Sequence, residues 1–317
     1  MAADRGAPDW QSLVDRARQG EPRAVARLIS WVEDGSPHLA EVMADLSQTA
    51  GSSFVIGVTG APGVGKSTTT SALVDAYRAR GSRVGVLAVD PSSPFSGGAL
   101  LGDRIRMQQH ATDPGVFIRS MASRGHLGGI AAATPQAIRI LEAAGCEVVI
   151  VETVGVGQSE VDVAGAADAT VVLLAPGMGD GIQAAKAGIL EVGDILCVNK
   201  ADRDGADSTV REVRQMLSLG EPADGWTVPV ITSVASRGEV NQLVEALDAR
   251  RAWLADDDRM RLRRRRRAHD EILAIAAGKA RARLASLLEG ELADVPDEVA
   301  SGRVDPYAAA DRLLERG

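Results

Sequence analysis

Cysteine is scarce in this chain, and long apolar runs are absent from it. The 317-residue sequence has two cysteines, Cys146 and Cys197, and each lies in or beside an apolar run that is typical of a strand. Neither belongs to a C-x-x-C pair or a Cys/His cluster. We therefore expect buried free thiols in a reducing compartment, with a disulfide or metal role as the less favoured alternative. No run of about 18 uncharged apolar residues occurs, so we expect neither membrane span nor signal peptide, and a cytoplasmic protein.

Positively charged residues are outnumbered by negatively charged ones, with 35 Lys and Arg against 43 Asp and Glu. The formal net charge is −8 at pH 7, so no overall cationic field would attract nucleic acid or an anionic membrane, and neither is an expected partner. Hydrophobic residues make up 45% of the chain and charged residues 25%, which indicates one sizeable globular core with something smaller attached.

The sequence divides into three regions. Residues 1–50 predict a helical N-terminal extension, because apolar residues recur every three or four positions between Asp9 and Gln48. Residues 51–250 predict an α/β domain, in which apolar runs of strand length alternate with helical segments. Residues 251–317 predict a charged helical region too thin to hold a core alone. Such a region packs on its own domain or on a second copy of the chain, so we expect a dimer.

The strand-length runs predict a parallel sheet with helices on both faces. They are Phe54–Thr59, Val84–Val89, Val148–Val151, Thr170–Ala175, Ile195–Val198 and Val228–Thr232. A predicted helix from Lys66 to Arg80 separates the first two, which makes their connection a right-handed parallel crossover. A Ras-like domain would have an early antiparallel hairpin instead, so we expect the all-parallel type of sheet.

A glycine-rich segment between the first strand and the first helix of this domain matches G-x-x-x-x-G-K-[ST]. Its glycines let backbone N–H groups turn toward a phosphate, and the helix N-terminus attracts negative charge. We expect Lys66 to reach the β- and γ-phosphates, Ser67 to bind Mg²⁺ and Thr68 to lie at the α-phosphate. The candidate phosphate-binding residues are Gly60, Ala61, Pro62, Gly63, Val64, Gly65, Lys66, Ser67 and Thr68.

Three carboxylates are candidates for holding the metal ion together with Ser67. Asp90 and Glu152 end apolar runs, and Asp103 lies between them in the chain. The carboxyl ends of parallel strands face the ligand crevice, and Mg²⁺ prefers hard oxygen ligands while it keeps several waters. One or two of these groups would act directly or through water, and the sequence leaves open which.

A second segment predicts which nucleotide is bound. Asn199, Lys200 and Asp202 follow a strand in the pattern N-K-x-D. An ionised aspartate accepts hydrogen bonds from guanine N1–H and the exocyclic amine, whereas adenine offers neither, so we expect GTP rather than ATP. The loop with Val234, Ala235 and Ser236 follows the next strand. We expect the Ala235 amide to contact guanine O6, with the register of residues 233–241 open by one position.

Several longer motifs carry a family resemblance. GAPGVGKST, VDPSSPFSGGALLGDRIRM, ETVGVGQSEVDV, GDGIQAAKAGILEVGDILCVNKAD and TSVASRGE, within residues 10–315, resemble the MeaB/ArgK GTPases, the bacterial relatives of the human methylmalonic aciduria type A protein. The resemblance implies an all-parallel GTPase of the SIMIBI class that acts as a chaperone. Such a protein gates adenosylcobalamin loading and protects and reactivates methylmalonyl-CoA mutase. It also implies a homodimer with helical extensions, with the cobalamin adenosyltransferase as a further candidate partner.

The same resemblance assigns roles to residues between the two nucleotide motifs. It implies Mg²⁺ and switch functions for Asp90, Asp103 and Glu152, and a switch position for Gly155. An additional mobile switch is implied at Asp180, Gln183 and Lys186.

Hydrolysis requires in-line attack of water on the γ-phosphorus, with Mg²⁺, Lys66 and loop amides stabilising charge. Val156 occupies the position at which Ras-like proteins have a water-positioning glutamine. Gln158, Asp103 and Glu152 are therefore the candidates for that task. Lys186 is a candidate in-cis or partner-triggered cation, with a solvated helix lysine as the alternative. We expect slow intrinsic turnover that a partner raises.

Other functions compete with the mutase chaperone. A nickel-insertion GTPase of the urease or hydrogenase type, a kinase, and a GTPase for a related acyl-CoA mutase are the alternatives. His110 and His126 are not spaced as metal ligands, which disfavours the first of them. The arginine run Arg263–Arg267 predicts a solvated helix in preference to a surface for an acidic partner or nucleic acid.

Overall fold

A seven-stranded sheet is the centre of the structure, a computed structural model that describes residues 9–91, 108–110, 112–123, 129–153, 165–177, 193–218 and 225–316. The strands are β1 (Phe54–Gly60), β2 (Val84–Pro91), β3 (Val116–Ser123), β4 (Val148–Thr153), β5 (Ala169–Leu174), β6 (Ile195–Asn199) and β7 (Val230–Ser233). Their spatial order is β3-β2-β4-β1-β5-β6-β7, and every pair is parallel. The predicted all-parallel α/β fold is confirmed.

Helices precede, separate and follow the strands. Those described are α1 (Trp10–Arg18), α2 (Pro22–Asp34), α3 (Leu39–Leu46), α4 (Lys66–Ala79), α5 (Gly129–Ala143), α6 (Ala206–Leu217), α7 (Asn241–Ala255), α8 (Arg259–Glu289), α9 (Val295–Ala300) and α10 (Pro306–Arg316). Proline at the first position of α2 fits there because that position has no intrahelical N–H bond to lose.

The two faces of the sheet are covered by different helices. Every residue of β1, β4, β5 and β6 is buried, which explains why these strands are apolar runs without polar alternation. On one face α4 and α7 pack against side chains such as Ile56 and Leu173. On the other face α5 covers the β2 and β4 side, and α6 covers β5 and β6. Fully burying each such side chain contributes about 1.5–3 kcal/mol.

The N-terminal helices share a core with the sheet. Val14, Leu28 and Leu46, one from each of α1, α2 and α3, belong to the same buried cluster as Leu141 of α5 and Val149 of β4. Three helices therefore occupy the N-terminal region, and their apolar faces cover α5 rather than forming a separate core.

The sequence did not predict β3, and the reason is its position at the sheet edge. Phe117 and Met121 are buried, but Arg119 lies between them and breaks the apolar run. The Arg119 guanidinium donates to Glu33 Oε2 of α2 (2.6 Å) and to Ser30 Oγ (2.9 Å). The polar residue thus ties the N-terminal helices to the edge strand.

The arginine run corrects another expectation, because three of its five members are only partly exposed and pair with buried aspartates. Arg264 and Arg267 of α8 pair with Asp168 (3.2 and 3.3 Å), and Arg263 pairs with Asp194 (2.9 Å). Asp168 is fully buried, and Asp194 nearly so. Arg265 and Arg266 face solvent as predicted. We call the three arginines that pair with Asp168 and Asp194 the arginine clamp, together with those two aspartates. The arginine clamp attaches α8 to the amino ends of β5 and β6.

Each aspartate of the clamp also joins two strands. Asp168 Oδ2 accepts the Val55 N–H (3.0 Å), and Asp194 Oδ2 accepts the Thr170 N–H (2.8 Å). A further cation reaches Asp194, because the fully buried Arg250 of α7 donates to its Oδ1 (2.6 Å). The Arg250 guanidinium lies 5.0 Å from the ring centre of Trp226 and 4.5 Å from that of Trp253. Such stacking is favourable in a site that excludes water.

Both cysteines are buried free thiols, as predicted. Burial raises the pKa of Cys146 to about 12 and that of Cys197 to about 11, so both remain protonated at neutral pH. None of the helices described here combines the length and apolar character needed to cross a bilayer.

The Asp168→Asn substitution should lower the free energy of unfolding by about 2–3 kcal/mol, because it leaves two partly buried guanidinium groups without their anion. Denaturant-induced unfolding measures the loss. Asp248→Asn is the matched control, since its pair with Arg80 is about half exposed (48% and 47%) and should contribute less than about 1 kcal/mol. Equal losses in the two variants would contradict this account of the clamp.

Candidate functional site

The two predicted nucleotide motifs lie at the same edge of the sheet. Since all strands are parallel, the carboxyl ends of β1, β4 and β6 open onto one crevice, the usual ligand position of such sheets. The register Val58↔Glu152 brings the end of β4 beside the start of the phosphate loop, which follows β1. The end of β6, with Asn199, reaches the same loop from the other side.

Two glycines of the loop have no room for a side chain. Gly60 has φ +142°, and a Cβ there would lie 2.4 Å from the Leu173 carbonyl oxygen of β5. Gly65 has φ +98°, and a Cβ there would lie 2.5 Å from Asn199 Nδ2. The backbone of the loop therefore passes close to its neighbours, as required of a loop whose N–H groups surround a ligand.

Lys66 and Thr68 begin helix α4 and differ in exposure. The Lys66 ammonium donates to the Gly60 carbonyl (2.7 Å) and the Ala61 carbonyl (3.3 Å), so the side chain folds over the loop and is 8% exposed. Thr68 is exposed on the first turn of the helix. Both residues lie in the first turn of α4, at the helix end that attracts phosphate.

Ser67 and Glu152 form the polar centre of the crevice. The Ser67 hydroxyl donates to Glu152 Oε1 (2.6 Å), and both side chains are buried, Glu152 completely. A buried hydroxyl and a buried carboxylate in contact offer the hard oxygen atoms that Mg²⁺ prefers. The donor set fits this ion.

Of the other predicted metal and switch residues, Asp90 is the one that lies within the described residues. Asp90 lies at the carboxyl end of β2, where the backbone register pairs the preceding Val89 with Thr153 of β4. The remaining predictions lie outside the described residues: Asp103, Gly155, Gln158, Asp180, Gln183 and Lys186. Within the described residues, no group of three or more His, Cys, Asp or Glu side chains is arranged to hold a metal ion.

Asn199 joins the phosphate loop to the loop after β7. Its Nδ2 donates to the Val64 carbonyl (2.9 Å), and its Oδ1 accepts the Ala235 N–H (3.1 Å) and the Ser233 hydroxyl (3.1 Å). Lys200 adds a parallel link, because its ammonium donates to the Gly63 carbonyl (2.6 Å). The predicted base-recognition residues thus also fix the shape of the phosphate loop.

The loop after β7 is a tight turn beside Asp202. Val234 and Ala235 are buried, and Ser236 is exposed. Ala235 begins a short 3-10 turn, and its N–H is directed at Asn199, so its contact with guanine O6 stays a prediction.

Arg237 contacts Asp202, although its sequence pattern predicts no role for it. Its Nη2 lies 3.3 Å from Asp202 Oδ2, with side chains 60% and 34% exposed. The residue is inside the quoted motif TSVASRGE, but nothing in the spacing indicated which side chain faces the aspartate.

The fold and this crevice define a P-loop GTPase with an all-parallel sheet. Residues 25–287 match the family described as methylmalonyl Co-A mutase-associated GTPase MeaB. The chain belongs to this family and is a GTPase, and the resemblance inferred from its motifs is confirmed.

Relatives from distant organisms align over most of their length. A Pyrococcus abyssi protein named as a GTPase is 45% identical to this chain over 308 residues. The alignment covers 96% of this chain and 95% of that protein. The mitochondrial methylmalonic aciduria type A homolog of Caenorhabditis elegans is 32% identical, and the alignment covers 97% of this chain and 82% of that protein. A crystal structure titled LAO/AO transport system kinase is similar with a TM-score of 0.70, 26% identity and 99% coverage of both chains.

The Gly65→Ala substitution should weaken GDP binding by about tenfold or more, because the added methyl group displaces Asn199 and the loop that it holds. Calorimetric titration with GDP measures the effect. Gly81→Ala is the matched control, since Gly81 has a similar φ of +85° but no atom within 4 Å of the added Cβ. A comparable loss of GDP affinity in both variants would show that backbone strain alone is responsible.

Proposed function

We propose that this GTPase is a chaperone of adenosylcobalamin-dependent methylmalonyl-CoA mutase, which gates cofactor loading and protects and reactivates the enzyme. The observation that carries the proposal is the family match over residues 25–287, whose description names this mutase. The alignment with the methylmalonic aciduria type A homolog over 97% of the chain supports it.

In the proposed nucleotide complex, the loop from Gly60 to Ser67 surrounds the phosphates and Asp202 reads the guanine edge. Lys66 exchanges its loop carbonyls for β- and γ-phosphate oxygens, where a buried cation is worth far more than in water. Thr68 lies at the α-phosphate, and the Ala235 N–H turns to guanine O6.

Ser67 and Glu152 would hold Mg²⁺, directly or through water, with Asp90 and Asp103 as further candidate ligands. The ion would supply neutralisation of the negative charge on the phosphates. Glu152, Asp103 and Gln158 are the candidates for orienting the attacking water, and Lys186 for an added cation. Gly155, Asp180 and Gln183 belong to the proposed switches, which the partner orders.

We propose that residues 1–50, 51–250 and 251–317 act as helical extension, GTP-binding domain and dimerisation region. The support for a dimer is the apolar surface of the C-terminal helices: Leu262, Ile272, Leu273, Tyr307 and Leu314 are each more than half exposed. Helix α7, which runs across residue 250, packs its Leu243 and Leu247 on the sheet.

A cytoplasmic location accords with the two free thiols. The cobalamin adenosyltransferase is a further proposed partner.

The partner is tested by adding purified methylmalonyl-CoA mutase to the chain and measuring phosphate release from GTP. We expect slow hydrolysis alone and an increase of about tenfold or more with the mutase, because a partner that orders the switches stabilises the transition state. Isobutyryl-CoA mutase is the matched comparison. A rate that neither mutase changes, together with no complex in pull-down, would refute the proposed partner while leaving the GTPase activity intact.

The role of Lys66 is tested with Lys66→Ala, which should lower the hydrolysis rate by about 100-fold or more through loss of a preorganised cation. Arg27→Ala removes one exposed positive charge from α2 and should leave the rate unchanged. If the Lys66 variant hydrolysed GTP at the normal rate, the phosphate loop would not be the catalytic site.

A further inference from the structure

A guanine-selecting carboxylate must present both of its oxygens in one plane to the base. Guanine donates N1–H to one oxygen and its 2-amino group to the other, so rotation about the terminal side-chain bond destroys the pairing. Asp202 follows the strand end at Asn199, and its side chain is 34% exposed. A neighbouring polar group that contacts the carboxylate can therefore influence this rotation.

In the described part of the chain, Arg237 is the side chain that contacts the Asp202 carboxylate. Its Nη2 lies 3.3 Å from Oδ2, and the contact leaves Oδ1 and the second lone pair of Oδ2 available to a base. A guanidinium attracts a carboxylate in a directional manner, which an ammonium group does less well.

The backbone of Arg237 is itself held in place. The Arg237 N–H donates to the Val234 carbonyl (2.9 Å), and an antiparallel bridge joins Val234 to Glu239. On the side of the aspartate, the Ala201 N–H donates to the Ser233 carbonyl (3.1 Å). Both members of the pair thus belong to turns that are anchored at the ends of β6 and β7.

We propose that Arg237 is a positioning residue for guanine selection, which orients the Asp202 carboxylate toward the two guanine donors. The inference rests on the proposed function insofar as Asp202 reads the base. The pair is exposed, so it contributes little to the free energy of folding. Its effect is on affinity: a base that donates to both Asp202 oxygens should depend on Arg237 more than a base that donates to one.

The test compares GDP with inosine diphosphate, which lacks the 2-amino group. Arg237→Met keeps an unbranched, flexible side chain but removes the guanidinium group and its charge. We expect GDP affinity to fall by about fivefold and inosine diphosphate affinity by less than about twofold, the range set by an exposed ion pair. Arg237→Lys should recover part of the preference, and the unfolding midpoint should not move in either variant.

Ionic strength provides a readout that a purely structural role would not change. Because salt screens an exposed pair, the GDP preference of the unmodified chain should decline as salt is raised, whereas that of Arg237→Met should stay constant. An unchanged preference in the methionine variant would overturn the proposal. Tighter GDP binding in that variant would also overturn it, since the guanidinium would then compete with the base.

Asp202→Asn separates this inference from the proposed function. We expect that variant to lose its preference for GDP and to gain affinity for xanthosine diphosphate, because an amide donates to the xanthine 2-carbonyl. If Asp202→Asn still preferred GDP, the proposed base site itself would be wrong. If it lost the preference while Arg237→Met kept it in full, the base site would stand and the role of Arg237 alone would fail.

Discussion

The parallel pairing of β1 with β4 is the constraint on which the rest of the site depends. Residues 58 and 152 are register partners, so the loop that follows β1 and the carboxylate near the end of β4 meet without any long side chain bridging a gap. The Ser67 hydroxyl then reaches Glu152 at 2.6 Å from the first turn of α4. A shift of one residue in this register would turn Glu152 to the opposite face of the sheet and remove the contact.

Selection of the base and support of the phosphates are carried by the same residues. Asn199 and Lys200 hold the carbonyls of Val64 and Gly63, while Asn199 also holds the loop with Ala235. A polar network in which each member has its partners specifies one arrangement, and partial loss of it is costly. In this crevice, therefore, base and phosphates are recognised by one connected structure rather than by two independent sites.

The parts of this structure that could be predicted from sequence are those encoded locally. The phosphate loop is contiguous from Gly60 to Ser67, and central strands buried on both faces are recognisable as apolar runs. Edge strand β3 was missed because Arg119 interrupts its apolar pattern, and its partner Glu33 is 86 residues away. The pairing of Arg264 with Asp168 spans 96 residues and that of Arg237 with Asp202 spans 35, so only the folded sheet brings them together.

The arginine clamp has a thermodynamic consequence for the C-terminal helix. Of the residues in α8, Glu271 is the one that is buried, and it binds Arg139 of α5 through a further ion pair. The large heat-capacity change of unfolding comes from exposing apolar surface. The attachment of α8 buries little apolar surface, since it depends mainly on ion pairs. Release of this helix from the sheet should therefore change the heat capacity far less, residue for residue, than melting of the core, and cold should weaken its attachment less than it weakens the core.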